Sequence, residues 1–320
     1  MTGQSKTTPY DFIQSITQPY QSRDGFVWRV VILMAALFSV VMIITFPMIY
    51  TEYGQILDIN KQNMQDILSG RQADYSSEIL AIYASVWRPY TVMTVFSLLI
   101  PIVAETALHR KNLLGVEKQT LPLRFAWPEI RTFIAMLGVW LLAFIGYFLG
   151  VLALGFVAAI FAIISKGLAA VIFVLGIVFV LGFWLWLSIR LAPASALSLH
   201  QDKLHVLKAK DITKGRFWPM LGSYAFIFFF GYIILITVIS LLMMLLFGDA
   251  QILSSVNGFG EDVPSEQLKA MAEQLQSPFK KIIGVVALVV YFTVVSIWFL
   301  MFSGVGTYAV KLWNEDSRDI

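Results

Sequence analysis

Few side chains in this sequence are equipped for chemistry, and their spacing narrows what they can do. There are three histidines, His109, His200 and His205, and no cysteine. Without cysteine, thiolate metal sites, disulfides and cysteine nucleophiles are excluded. His200 and His205 are five residues apart, whereas two imidazoles sharing a metal from one helix face need i, i+4 spacing. Asp202 is the acid near them, and it does not sit in an HExxH arrangement. Both read as solvated histidines in a basic loop. No GxSxG, P-loop or dinucleotide fingerprint occurs, and Gly258-Phe259-Gly260 reads as a turn. The expectation is a protein with no metal, no cofactor and no enzymatic activity.

Ionisable residues inside apolar runs are the stronger signal. A charge at membrane depth costs roughly 2.5–3.5 kcal/mol on insertion scales and implies a partner or a pathway. Glu105 lies one turn inside the second apolar run, Arg29 and Arg131 begin the first and third, and Arg190 ends the fourth. All four belong near the same membrane surface. Glu105, Arg131 and Arg190 are therefore expected to form a charged cluster able to bind a headgroup or partner. Glu105 would pair with Arg190 or Arg131, with Glu129 as a competing acid; the alternative is that each side chain snorkels to the interface. No charge falls mid-span, which disfavours proton- or ion-coupled transport.

The elements that must position these residues follow from composition. The 320 residues are 58% hydrophobic and 13% charged, against about 45–50% and roughly 25% in soluble domains. That is an integral membrane protein, all-α and polytopic. Apolar runs at 26–49, 89–108, 132–156, 167–189, 220–247 and 282–312 give six spans, each near the roughly 20 residues that cross a bilayer. The first is read as a retained span, not a signal peptide, leaving 1–25 as a polar N-terminal segment and 313–320 as a tail. Thr132–Ile189 holds a single charge, Lys166, and is too long for one crossing. The turn falls at Ser165-Lys166-Gly167 or nearer Gly155. Sixteen of the 23 Lys and Arg residues then lie on the side holding both termini, so the positive-inside rule places both in the cytoplasm. The net charge of +3 is too small and dispersed for nucleic-acid binding.

Three spans open on basic, aromatic and helix-breaking residues: Arg23 to Arg29, Arg124-Phe125-Ala126-Trp127-Pro128, and Lys214-Gly215-Arg216-Phe217-Trp218-Pro219. A weak threefold repeat of hairpins is one reading; aromatic belts alone are the other. In Leu204–Lys214, Leu204, Leu207 and Ile212 alternate with Lys203, Lys208, Lys210 and Lys214. This predicts an interfacial helix stopped by Gly215, with Lys208, Lys210, Lys214, Arg216 and Trp218 as anchors to anionic membrane lipids. Helical spacing in 51–88 and 248–281 predicts short amphipathic helices, the latter carrying Leu268, Met271 and Leu275. Gly146 and Gly150, and the face Ser303, Gly304, Gly306 and Thr307, mark close helix contacts within the monomer.

The stretch Ile189-Arg190-Leu191-Ala192-Pro193-Ala194, followed by Ala209 to Trp218, resembles the membrane domain associated with bacterial glycerophosphoryl diester phosphodiesterases and related six-helix inner-membrane families. Pro128-Glu129-Ile130-Arg131 resembles an equivalent loop. The resemblance implies a bacterial inner-membrane location. It does not bring the diesterase activity, which in that family belongs to a separate soluble barrel whose acidic metal ligands and histidine pair have no counterpart here. Two readings of function remain: a non-enzymatic scaffold or accessory component, binding a protein or lipid partner or its own copy, and a carrier or lateral channel for a lipid or other amphiphile.

Overall fold

The computed structural model describes residues 9–21, 25–69, 76–115, 126–247 and 278–318. Its elements are α1 (Phe12–Thr17), a short 3-10 turn (Gln18–Gln21), α2 (Phe26–Leu68), α3 (Ser76–Leu114), α4 (Trp127–Ile164), α5 (Lys166–Leu191), α6 (Ala194–His200), α7 (Ala209–Ile212), α8 (Phe217–Phe247) and α9 (Pro278–Arg318). There is no strand among the described residues. Six stretches are long and apolar enough to cross a membrane: Phe26–Ile49, Leu80–Leu114, Trp127–Ile164, Lys166–His200, Phe217–Leu242 and Lys281–Ser317. The protein is an all-α, six-span bundle former, as composition requires.

Helices run further than hydropathy alone suggested. At 43 residues, α2 is about 65 Å long at 1.5 Å per residue, roughly twice a hydrocarbon core. The separate amphipathic helix expected after residue 50 is the continuation of the same helix, because 51–68 keep a helical period and contain no proline. Likewise α3 starts at Ser76 and passes through Pro89 and Pro101, so Pro89 does not open a span. The tail expected from 313 is the last turns of α9. The predicted helix carrying Leu268, Met271 and Leu275 lies outside the described residues.

Between α4 and α5 the chain reverses at Ser165, the nearer of the two alternatives to Lys166. Ser165 is extended (φ −159°, ψ 126°); its N–H donates to Phe161 O at 2.9 Å and its hydroxyl accepts from Leu168 N at 3.4 Å. One residue thus ends one helix and caps the next, and Gly167 takes no left-handed φ. Gly150 lets the two helices approach: Val180 Cγ1 and Cγ2 lie 3.1 Å from where a Cβ would stand.

The chain forms two compact units. One comprises 28–101 and 232–297; within it Phe38 and Phe292 stack at 5.2 Å. The other comprises 1–27, 102–231 and 298–320 and contains a hydrophobic core built from Ile16, Ile189, Leu197, Ile212, Met220, Val305 and Val310. The N-terminal segment is therefore not simply a solvated leader. Asp11 caps α1 by accepting from Gln14 N at 3.0 Å, Ser15 and Ser223 hydroxyls meet at 2.9 Å, and Tyr10 packs edge-on against Tyr308. Gly304 makes this docking feasible, since a Cβ there would fall 2.6 Å from Pro19 Cδ.

Candidate functional site

Glu105 and His109 stand four residues apart on α3 and so share one face. Both are buried. The His109 Nε2–H donates to Glu105 Oε1 at 3.0 Å, and Nδ1 meets the Thr307 hydroxyl of α9 at 2.8 Å. From α6, Ser195 donates its hydroxyl proton to the same Oε1 at 2.5 Å and lies 3.3 Å from Nε2. Small residues make the convergence possible: Ala194 and Ala196 of α6 are fully enclosed, and Gly306 lies against Ala192 O, 3.4 Å from its would-be Cβ.

This histidine, serine and glutamate do not form a nucleophilic relay. Such a relay needs the acid on one ring nitrogen and the hydroxyl on the other, with a lone pair free to take the hydroxyl proton. Here acid and serine share Nε2, whose proton is directed at the carboxylate, and the serine proton goes to the same carboxylate oxygen. The arrangement fixes Glu105 in place. It holds Oε1 with two donors, and Oε2 has no hydrogen-bond partner among the described residues.

Above Glu105 lies a cavity of about 410 Å³. Its walls are apolar and come from α4 (Met136, Trp140, Ala143), α5 (Trp184, Leu185), α8 and α9 (Phe299, Phe302). Glu105, Ser188, Ser195, Tyr224 and Ser303 supply its polar groups. Ser303 Oγ is enclosed with no hydrogen-bond partner. Among the described residues no lysine or arginine lines the cavity. A pocket with apolar walls and a few convergent polar groups has the form of a small-molecule site.

The expected cluster of Glu105, Arg131 and Arg190 does not form. Arg131 is ion-paired to Asp202. Arg190 Nη1 donates to Lys210 O at 3.2 Å and Thr213 Oγ1 at 3.3 Å, with the guanidinium 5.5 Å over the Trp186 ring. It ties the end of α5 to α7 and lines a separate groove with Phe217 and Trp218. Glu129, the competing acid, pairs with Arg110 at 2.5 Å in full burial, its other oxygen accepting from Ala126 N at 2.9 Å. Each charge found a partner that arrives by folding, not the nearest charge in a span.

The anchor stretch is divided too. Lys208, Lys210, Lys214 and Trp218 are exposed, and Gly215 takes the left-handed φ of +79° that ends the turn. Arg216, however, is buried and ion-paired to Asp316, so it is a bundle residue and not an interfacial anchor. Only Ala209–Ile212 is helical where Leu204–Lys214 was expected. Turns compete successfully in the preceding residues: Ser198 Oγ accepts from His205 N at 3.0 Å, and Asp202 sits at φ 54° where it reaches Arg131. His200 accepts or donates with Asn314 at 2.9 Å and is not a free surface group.

The site residues that spacing missed are His109 and Ser195; Thr307 was read only as part of a close helix contact. One signal was present, the i, i+4 step from Glu105 to His109, which marks a shared face. Outside the spans, burial pushes the Tyr10 phenol up to about 12, against the pull of the Ser15 and Ser223 hydroxyls, and burial raises Tyr20 as well. Among the described residues no three His, Asp or Glu side chains converge on a metal position. No family model, curated protein or solved structure matches the chain.

Proposed function

We propose that this chain is a non-enzymatic membrane protein that binds a lipid or other amphiphile, as a carrier or lateral channel. The observation that carries the reading is the 410 Å³ cavity with aromatic and aliphatic walls and a fixed carboxylate at its base. An alkyl chain entering it exchanges one apolar environment for another, so selectivity must come from the few polar groups. Trp140 and Leu185 are at once cavity wall and exposed surface, which supports access from the hydrocarbon side. The reading places both termini in the cytoplasm of a bacterial inner membrane, supported by sixteen of 23 basic residues on that side. Anionic lipids would gather at Lys208, Lys210 and Lys214, each worth about 1 kcal/mol near such a surface.

The test is native mass spectrometry after gentle release from the membrane, comparing wild type with Ala143→Phe. Ala143 is enclosed and lines the cavity, so a phenyl ring there fills the space. A bound small molecule in wild type that is lost in the variant supports the proposal. A stoichiometric protein partner retained by both, with no bound amphiphile in either, transfers the assignment to the scaffold reading. That second reading rests on the extent of exposed apolar side chains along α4 and α5.

A further inference from the structure

Within that cavity the geometry points to the head of the ligand: we propose a hydrogen-bond-donating group, amine or hydroxyl, and exclusion of anionic heads. This rests on the amphiphile-binding reading and specifies it. The inference starts from what the polar groups have left over. Glu105 is buried with Oε1 saturated by His109 and Ser195, while Oε2 is left to the cavity. A carboxylate oxygen only accepts, so its ligand must donate.

Ser303 is the independent second observation. The residue lines the same space, and its Oγ is enclosed and lacks a hydrogen-bond partner among the described residues. An orphaned buried hydroxyl carries a desolvation penalty that a bound polar head would remove. Serine can donate or accept, so it suits an alcohol or amine already aligned on Glu105. Tyr224, from α8, adds a third polar edge. Against an anionic head there is the carboxylate itself, and among the described residues no lysine or arginine of the cavity offsets the repulsion. The nearby cations are occupied elsewhere: Arg110 by Glu129, Arg131 by Asp202, Arg216 by Asp316. The site thus has the opposite preference from the basic residues exposed at Lys208, Lys210 and Lys214.

Trp140 and Trp184 in the wall make binding measurable. The full chain in zwitterionic nanodiscs would be titrated with three probes of equal length, each brominated on the alkyl chain: a primary amine, an alcohol and a phosphate monoester. Bromine quenches tryptophan on contact. The site-specific part of the signal is what disappears in the Trp140→Phe, Trp184→Phe double variant. The expected result is quenching by amine and alcohol at concentrations at least tenfold below the phosphate. Glu105→Gln should then weaken both donors by about tenfold or more, the scale of a hydrogen bond to a charged group. If Glu105→Gln fails to fold, Ser303→Ala gives the same reading, with a smaller loss for the donors and none for the phosphate.

Equal or tighter binding of the phosphate, or donor affinity unmoved in both variants, overturns the head assignment. In that case quenching that Ala143→Phe abolishes would leave the amphiphile reading standing. Site-specific quenching by none of the three probes overturns the head assignment and the amphiphile reading together.

Discussion

The outer length of the α4–α5 hairpin and the region where α1, α6 and α7 meet the ends of α3, α4, α8 and α9 obey opposite rules. Along the hairpin, large apolar side chains such as Phe156, Ile163, Val178 and Phe179 are exposed, and contact between the helices depends on Gly150 against Val180. Backbone polarity is satisfied within each helix, as hydrocarbon demands. In the second region α6 is almost wholly enclosed, α1 and α7 each bury one face, and polar groups pair inside: Arg110 with Glu129, Arg216 with Asp316, Ser15 with Ser223. The hairpin is shaped by its solvent. The packed region is shaped by specific partners, and the carboxylate of the cavity belongs to it.

If that contrast holds, the largest effect should come from breaking a buried ion pair. Glu129→Ala takes the buried carboxylate from Arg110 and also removes the acceptor for Ala126 N, and should cost about 3–5 kcal/mol. Denaturant unfolding in detergent reads this directly; a loss under roughly 1 kcal/mol, the range of exposed pairs, would mean water reaches the pair. Gly304→Val comes next. Its side chain would collide with Pro19 and approach Ser15 O, at about 1–3 kcal/mol for overpacking. Protease cleavage within residues 9–21 should accelerate, whereas unchanged protection would show that α1 docks differently.

The hairpin supplies a finer comparison. Gly150→Leu must displace Val180, while Gly155 has nothing within 4 Å of its would-be Cβ. Gly150→Leu should cost about 1–3 kcal/mol and Gly155→Leu should stay within about 0.5 kcal/mol. Equal costs would place another surface against Gly155. The smallest perturbation tests orientation. Since the chain has no cysteine, Lys208→Cys and Lys166→Cys each introduce one exposed thiol at a stability change within about 0.5 kcal/mol. A membrane-impermeant maleimide applied from outside should label residue 166 and not 208; the reverse would invert the topology.

Much of the fold could be read from residue order. The hydrocarbon-crossing runs were visible because the cost of exposing polar backbone to lipid leaves few solutions, and Ser165 was visible because 58 nearly uncharged residues must turn once. The small-residue positions Gly150, Gly304 and Gly306 were also correctly read as close contacts inside the monomer. The site was far less legible. Glu105 stood out as a charge in an apolar run, yet its partners His109 and Ser195, and the Thr307 that holds His109, come from three helices, up to 202 residues along the chain. Arg216 looked like an anchor because its sequence neighbours are basic and aromatic, while the acid that holds it inside is 100 residues away.

By itself, then, the sequence determined the solvent: an apolar composition with charges confined to the ends of runs commits the chain to six membrane-length helices. Tertiary structure alone decided which charge meets which. Hydrophobic burial is non-directional and additive along the chain, so it survives in one dimension. Ion pairing and hydrogen bonding require atoms within about 3 Å, and only the folded chain brings Glu105, His109 and Ser195 that close beside an apolar pocket.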